Sequence, residues 1–213
     1  MEELEVLKKA WKKEESSFGE VSEKEIYGML HQKSSSIVKW ILIVSILEFV
    51  FWNVINFLFS DDQYQAQLKA YGIEDTMFVV NFVNYFILIG FIYMFYKNYK
   101  SISTLDSTHQ LMTNILSTRR TVQNYIWYNL FIITLTIVIS IVMLFYHNTA
   151  MISLMEKEIA EGHQSMFICI CAAISLVFIA LMIGLFWLFY RLLYGILLKK
   201  LYANYKELKK IEL

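Results

Sequence analysis

The sequence predicts an all-α polytopic membrane protein: four transmembrane helices with short amphipathic helices on the cytoplasmic side. Three observations predict it. Of 213 residues, 57% are hydrophobic and only 18% charged, whereas soluble domains carry about 25% charged residues. The apolar excess is gathered in four blocks, 38–59, 77–96, 126–146 and 166–190, each long enough to cross a hydrocarbon layer of about 30 Å at about 1.5 Å per residue. The basic residues are also one-sided. Seventeen of the 19 Lys and Arg lie before or at Lys39, between the second and third blocks, or after the fourth, leaving only Lys69 and Lys157 for the other face. Basic residues resist translocation, so both termini are expected in the cytoplasm.

Segment 1–37 reads as a cytoplasmic arm. Leu4, Leu7 and Trp11 recur at helical spacing among lysines and glutamates, and Phe18-Gly19 interrupts the pattern. Ser22 and Glu25 then form a capping box that starts a second helix carrying Ile26, Tyr27 and Leu30, with a route through Ser34-Ser35-Ser36 into the first span. The apolar stripe of Leu4, Leu7, Trp11, Ile26, Tyr27 and Leu30 has two readings. It binds a cytoplasmic protein, or it packs on the underside of the bundle or in the headgroups.

The spans themselves must be helices. Lipid offers backbone amides no partner, and runs such as the one from Phe131 to Val142 lack the inward-polar alternation of a barrel wall. Trp40, Tyr96, Tyr125, Trp127 and Tyr190 stand at span ends, where interfacial aromatic belts are expected. Between the second and third spans, Ile102, Leu105, Met112, Ile115 and Leu116 mark one face of a helix over 102–118, with Ser103 and Asp106 as a capping box and Arg119-Arg120 at its end. That pattern predicts a helix lying along the cytoplasmic surface. On the other face, residues 149–162 make a small amphipathic helix with Gly162 as its left-handed terminator. The fourth span continues through Gly195 into Leu197, Leu201, Tyr205, Leu208 and Ile211, so 191–213 is expected to project as a helical extension.

Inside the spans the chain is polar at few positions. Glu48 is the only acidic or basic side chain well within any of them, and it shares a stripe with Ser45, Trp52 and Asn56 at steps of 3, 4 and 4. A carboxylate at the bilayer centre costs roughly 2.5 to 3.5 kcal/mol, so Glu48 should face the bundle, protonated or hydrogen-bonded. Asn53 and Asn56 on the first span match Asn81 and Asn84 on the second in depth. Paired amides there would contribute on average about 0.6 kcal/mol each. These five residues are packing glue, or they are an ion-coupling site.

Much is excluded. The extramembrane segments all fall below about 40 residues, the size at which domains stop folding unaided, so no catalytic domain fits. His31 and His109 are expected on one side of the membrane and His147 and His163 on the other, which leaves no convergent metal set. No phosphate loop, nucleophile elbow or paired intramembrane carboxylates occur. Cys169 and Cys171 lie about 200° apart around one helix and cannot pair. Neither catalytic residues, cofactor, metal nor nucleic acid is expected.

The stretch Leu7-Lys-Lys-Ala-Trp11-Lys-Lys, with Val21-Ser-Glu-Lys-Glu-Ile-Tyr27 and its continuation to Trp40, resembles a set of small bacteroidete membrane proteins often encoded beside extracytoplasmic-type sigma factors. The resemblance implies an anti-sigma or related regulatory role. Some of that set are labelled β-carotene monooxygenases, but carotenoid oxygenases are large propellers holding iron with four histidines, and the length and histidine placement here do not match. Zinc-type anti-sigma domains carry a His and Cys pair in their cytoplasmic arm, and segment 1–37 has no Cys. The expectation is therefore a non-catalytic regulatory or scaffold protein in the bilayer whose arm binds a cytoplasmic partner, with self-association left open. The alternative is a small transporter or channel subunit built round Glu48 and the asparagines.

Overall fold

The computed structural model describes residues 22–59, 66, 69–70, 74–103 and 107–211. Leu4, Leu7 and Trp11, with Leu105 and Asp106, lie outside the described residues. Among the described residues every regular element is helical: α1 (Glu23–Phe59), α2 (Glu74–Ser103), α3 (Thr108–His147), α4 (Thr149–Ala160) and α5 (Gln164–Ile211). Local chemistry sets the ends. The Ser22 amide donates to Glu25 Oε2 at 3.0 Å and the Glu25 amide to Ser22 Oγ at 3.3 Å, the reciprocal capping box the sequence predicts. Asn148 caps α4 by accepting from the Met151 amide at 3.1 Å. At its other end Gly162 takes φ 80°, and the amides of Gly162 and His163 return to Ile159 and Glu158, a Schellman closure that favours glycine at the left-handed position.

Four helices, α1, α2, α3 and α5, are long and apolar enough to cross a membrane. Their outward faces carry large apolar side chains in the open, among them Phe57 at 84% exposure and Trp127 at 70%. A soluble monomer rarely exposes so much contiguous apolar surface. Going round the bundle, α1 packs on α2 and α5, and α3 packs on the same two, while α2 and α5 occupy opposite corners. The short α4 lies across the end where α3 and α5 meet, here the distal end; the end holding the start of α1, the α2–α3 connection and the end of α5 is the basal end.

Helix lengths depart from the sequence reading. No separate surface helix spans 102–118: α2 runs to Ser103, Ser107 occupies the N-cap of α3, and α3 continues unbroken for 40 residues, about 60 Å at 1.5 Å per residue. Burial at Leu111, Ile115, Thr118, Val122 and Tyr125 explains this, because a stripe at steps of 4, 3, 4 and 3 turns one face of the basal part of α3 into the bundle. The extension of α5 through Gly195 is present as read, and the helix reaches 48 residues.

The basal half is solidly packed. Val38, Ile41, Phe95, Ile102, Leu111, Ile115, Val122, Leu201 and Leu208 are almost wholly enclosed. Polar side chains tie this half crosswise. His31 Nε2 donates to the Ile102 carbonyl at 2.6 Å, Asn114 reaches Ser101 at 2.9 Å, and Asn204 reaches Ser34 at 3.1 Å. The arm residues belong here too: Leu30 is buried, and Ile26 and Tyr27 are half-buried against the same core. Of the two readings of the stripe, these three positions follow the one in which it packs on the bundle's own underside, since continuity of α1 carries them onto the basal core.

Candidate functional site

The site begins with the stripe on α1. Ser45 and Glu48 are buried and Trp52 half-buried, so the first steps of the stripe bring one face of α1 inward, while its last member, Asn56, is exposed. Ser45 satisfies its hydroxyl on its own helix, donating to the Leu42 carbonyl at 2.8 Å. Glu48 is satisfied from another helix. Tyr190 of α5 donates to one carboxylate oxygen at 2.7 Å and Tyr194, one turn further on, donates to the other at 2.8 Å. The two phenol rings stack at 6.2 Å and 23°, and Tyr125 of α3 meets them edge-on at 6.4 and 5.8 Å. Phe91 and Phe95 of α2 pack on the far side of Tyr125, each at 5.5 Å. Four helices therefore converge on one carboxylate, and no buried side-chain nitrogen or oxygen among the described residues lacks a partner.

Above this lock, toward the distal end, the bundle is hollow. A cavity of about 410 Å³ lies between the four long helices. Glu48, Tyr125 and Tyr190 form its deep end, and Trp52, Tyr85 and Phe186 stand in its walls, with Trp52 and Phe186 at 5.9 Å. Asn53 and Asn56 from α1, Asn81 and Asn84 from α2, and Asn129 and Thr136 from α3 supply amides and a hydroxyl. The depth match between Asn53/Asn56 and Asn81/Asn84 thus places all four on one cavity, but they do not bond amide to amide. Asn53 donates back to the Phe49 carbonyl at 2.7 Å, Asn129 to the Tyr125 carbonyl at 2.8 Å, and Asn84 Oδ1 accepts from Tyr128 at 2.9 Å. An amide beside a void finds its own helix sooner than a partner across the gap.

Several of these residues were not legible as a site. Tyr125 and Tyr190 stand at span ends and read as interfacial belt, yet they are 3% and 2% exposed, while Trp40, Tyr96 and Trp127 are exposed as a belt requires. The spacing Met182, Phe186, Tyr190, Tyr194, four residues at each step, was the available sign of an inward aromatic stripe. Tyr128, Asn129 and Thr136 of α3 were likewise missed. At the distal end Glu158, Glu161 and His163 gather within 4.8 Å of one another. They are a solvent-facing group joined by ion-pair distances of 3.8 and 3.9 Å.

Fold and site together define a bundle of four helices, each long and apolar enough to cross a membrane, whose distal half holds a largely apolar cavity edged with amides and floored by a tyrosine-locked carboxylate. The chain belongs to the family described as a domain of unknown function (DUF8845), whose profile matches residues 24–213 and so takes in all five helices but for the first residue of α1. No curated protein and no solved structure matches it.

Proposed function

We propose that the chain is a four-pass integral protein of the bacterial cytoplasmic membrane, both ends cytoplasmic, that regulates without catalysis. A small ligand held above Glu48 sets the state of the bundle, and the cytoplasmic segments carry that state to a protein partner. One observation carries the reading: the cavity ends on Glu48, whose hydroxyl partners tie α1 to α5 immediately above the packed basal core. A dead-ended cavity suits a binding protein better than a conduit. Transport cycles commonly use broken helices, and this chain has no proline, with α1, α2, α3 and α5 each continuous. The basic bias toward the basal end supports the orientation. With Ile26, Tyr27 and Leu30 engaged by the bundle, the docking face narrows to Leu4, Leu7 and Trp11, on a segment that precedes the family match. The gene neighbourhood of the look-alikes suggests a sigma factor as the partner.

Cross-linking in cells from the full chain should recover a cytoplasmic protein, lose it with Leu7→Ala and Trp11→Ala together, and change its yield with Glu48→Gln. Recovery of no partner, or of one indifferent to all three changes, refutes the proposal. The second reading, a small transporter or channel subunit, is favoured by the same carboxylate and asparagines. It requires solute flux in proteoliposomes that Glu48→Gln abolishes, and absence of flux removes it.

A further inference from the structure

Resting on that reading of the cavity as a ligand site, we infer that its occupant is an organic cation: an amine or quaternary ammonium with an apolar body. Charge is the first argument. Glu48 is the one acidic residue in the lining, and no Lys, Arg or His joins it. An anionic ligand would meet a carboxylate and no counter-charge. A carboxylate in a span is costly to keep, and a cation beside it offsets part of that cost where a neutral solute does not.

The walls supply the second argument. Trp52, Tyr85, Phe186, Tyr125 and Tyr190 present aromatic rings around the space next to Glu48, and ring faces attract cations through their quadrupole, most strongly where water is excluded. A bare divalent metal would instead demand six or more oxygen ligands at close range, which aromatic walls do not offer. The asparagines fit as well. Asn53 and Asn129 each commit one amide N–H to their own helix, and their carbonyl oxygens remain as acceptors. Nor do the tyrosines exhaust the carboxylate: of its about four lone-pair sites, Tyr190 and Tyr194 take one on each oxygen and Tyr125 reaches it as a third hydroxyl, which leaves a site for a ligand. A cavity of about 410 Å³ accommodates a small organic ion with room for an apolar substituent.

The test uses the purified full chain in lipid nanodiscs and three probes measured by calorimetry: benzyltrimethylammonium, its uncharged isostere neopentylbenzene, and benzenesulfonate. The cation is expected to bind saturably and most tightly, and to weaken about tenfold or more in Glu48→Gln while the isostere is unaffected. Thr136→Trp, which fills the cavity from α3 without touching Glu48, should abolish binding with the melting transition preserved. If Glu48→Gln fails to fold, the charge series and Thr136→Trp decide the matter. Equal or tighter binding of the isostere or the sulfonate, or cation binding that survives either variant unchanged, overturns the inference but leaves the cavity a ligand site. If none of the three probes binds, the underlying reading falls with it.

Discussion

Replacing Glu48 by leucine should destabilise the bundle, and removing its tyrosine partners at the same time should restore part of the loss. Glu48 is 6% exposed, Tyr190 2% and Tyr194 0%, and the two bonds are short, at 2.7 and 2.8 Å. In water-soluble proteins an orphaned buried hydroxyl costs about 1–3 kcal/mol. Between helices in lipid the measured coupling averages about 0.6 kcal/mol and reaches about 1.7, because the unfolded segments also find partners. Two bonds to one enclosed carboxylate place Glu48→Leu at about 1–3 kcal/mol, and Tyr190→Phe or Tyr194→Phe at about half that. The triple variant, Glu48→Leu combined with Tyr190→Phe and Tyr194→Phe, leaves none of the three partners behind. It should therefore be more stable than Glu48→Leu alone, since swapping every partner for an apolar group is close to neutral. Unfolding of the purified protein by increasing SDS in mixed micelles, followed by circular dichroism, gives the four free energies. Additive losses, or a triple variant weaker than Glu48→Leu, would show that the hydroxyls do not hold the carboxylate. Tyr128 with Asn84, at 2.9 Å and only part-buried, supplies the internal comparison and should couple more weakly.

Other expectations follow from the same geometry. Leu208→Ala, in the enclosed basal core, should cost about 2–5 kcal/mol, whereas Ile132→Ala on the cavity wall should cost less because space already adjoins it; equal shifts in melting temperature would contradict the division into packed and hollow halves. His31→Ala should cost about 1 kcal/mol, since it removes the imidazole that bonds the Ile102 carbonyl in the last turn of α2; an unchanged transition would show that water replaces the imidazole. In a background with Cys169 and Cys171 replaced by serine, a membrane-impermeant maleimide should label Glu158→Cys but not Lys209→Cys in intact spheroplasts; the reverse labelling would invert the proposed orientation.

How much could be read from the sequence follows from the range of each interaction. The Ser22–Glu25 capping box and the Gly162 terminator were legible because their partners lie within five residues along the chain. The four spans were legible because twenty apolar residues in a row admit few other readings. The basal part of α3 was not, because Arg119, Arg120 and nearby polar residues suggest a surface element, while the turn-to-turn continuity of the backbone needs no break there. Arg119 in fact lies over the Tyr202 ring of α5 at 4.7 Å, a contact that joins α3 to α5. Glu48 stood out as a lone charge, but its partners lie 142 and 146 positions away. A tyrosine at a span end reads as a belt residue until the inward stripe beginning at Met182 is noticed. For the asparagines, depth followed from counting residues; the choice of the Phe49 carbonyl and the Tyr128 hydroxyl depended on a void that no local pattern records.

Tyr190 and Tyr194 differ in a way that separates binding from transmission. Both belong to the buried core with Val38, Ile41 and Leu201, but Tyr190 also lines the cavity and Tyr194, fully enclosed, does not. Both grip the same carboxylate, one on each oxygen. In the proposed function a ligand at Glu48 shares the carboxylate with these hydroxyls and so alters their hold on it, and a close-packed core answers by switching between discrete packings rather than by yielding continuously. Such a ligand can bias the core only by the difference in its affinity for the two packings. Tyr194→Phe keeps the ring, the packing and the Tyr190 contact while cutting the hydroxyl link to the core. If the proposed function holds, ligand affinity in this variant should stay within about threefold of the parent, under about 1 kcal/mol, while the ligand-dependent change in partner cross-linking disappears. Partner cross-linking that still responds to ligand would place the transmission on another contact between α1 and the basal core. A loss of affinity matching that of Tyr190→Phe would mean that the two tyrosines act as one binding unit and transmit nothing separately.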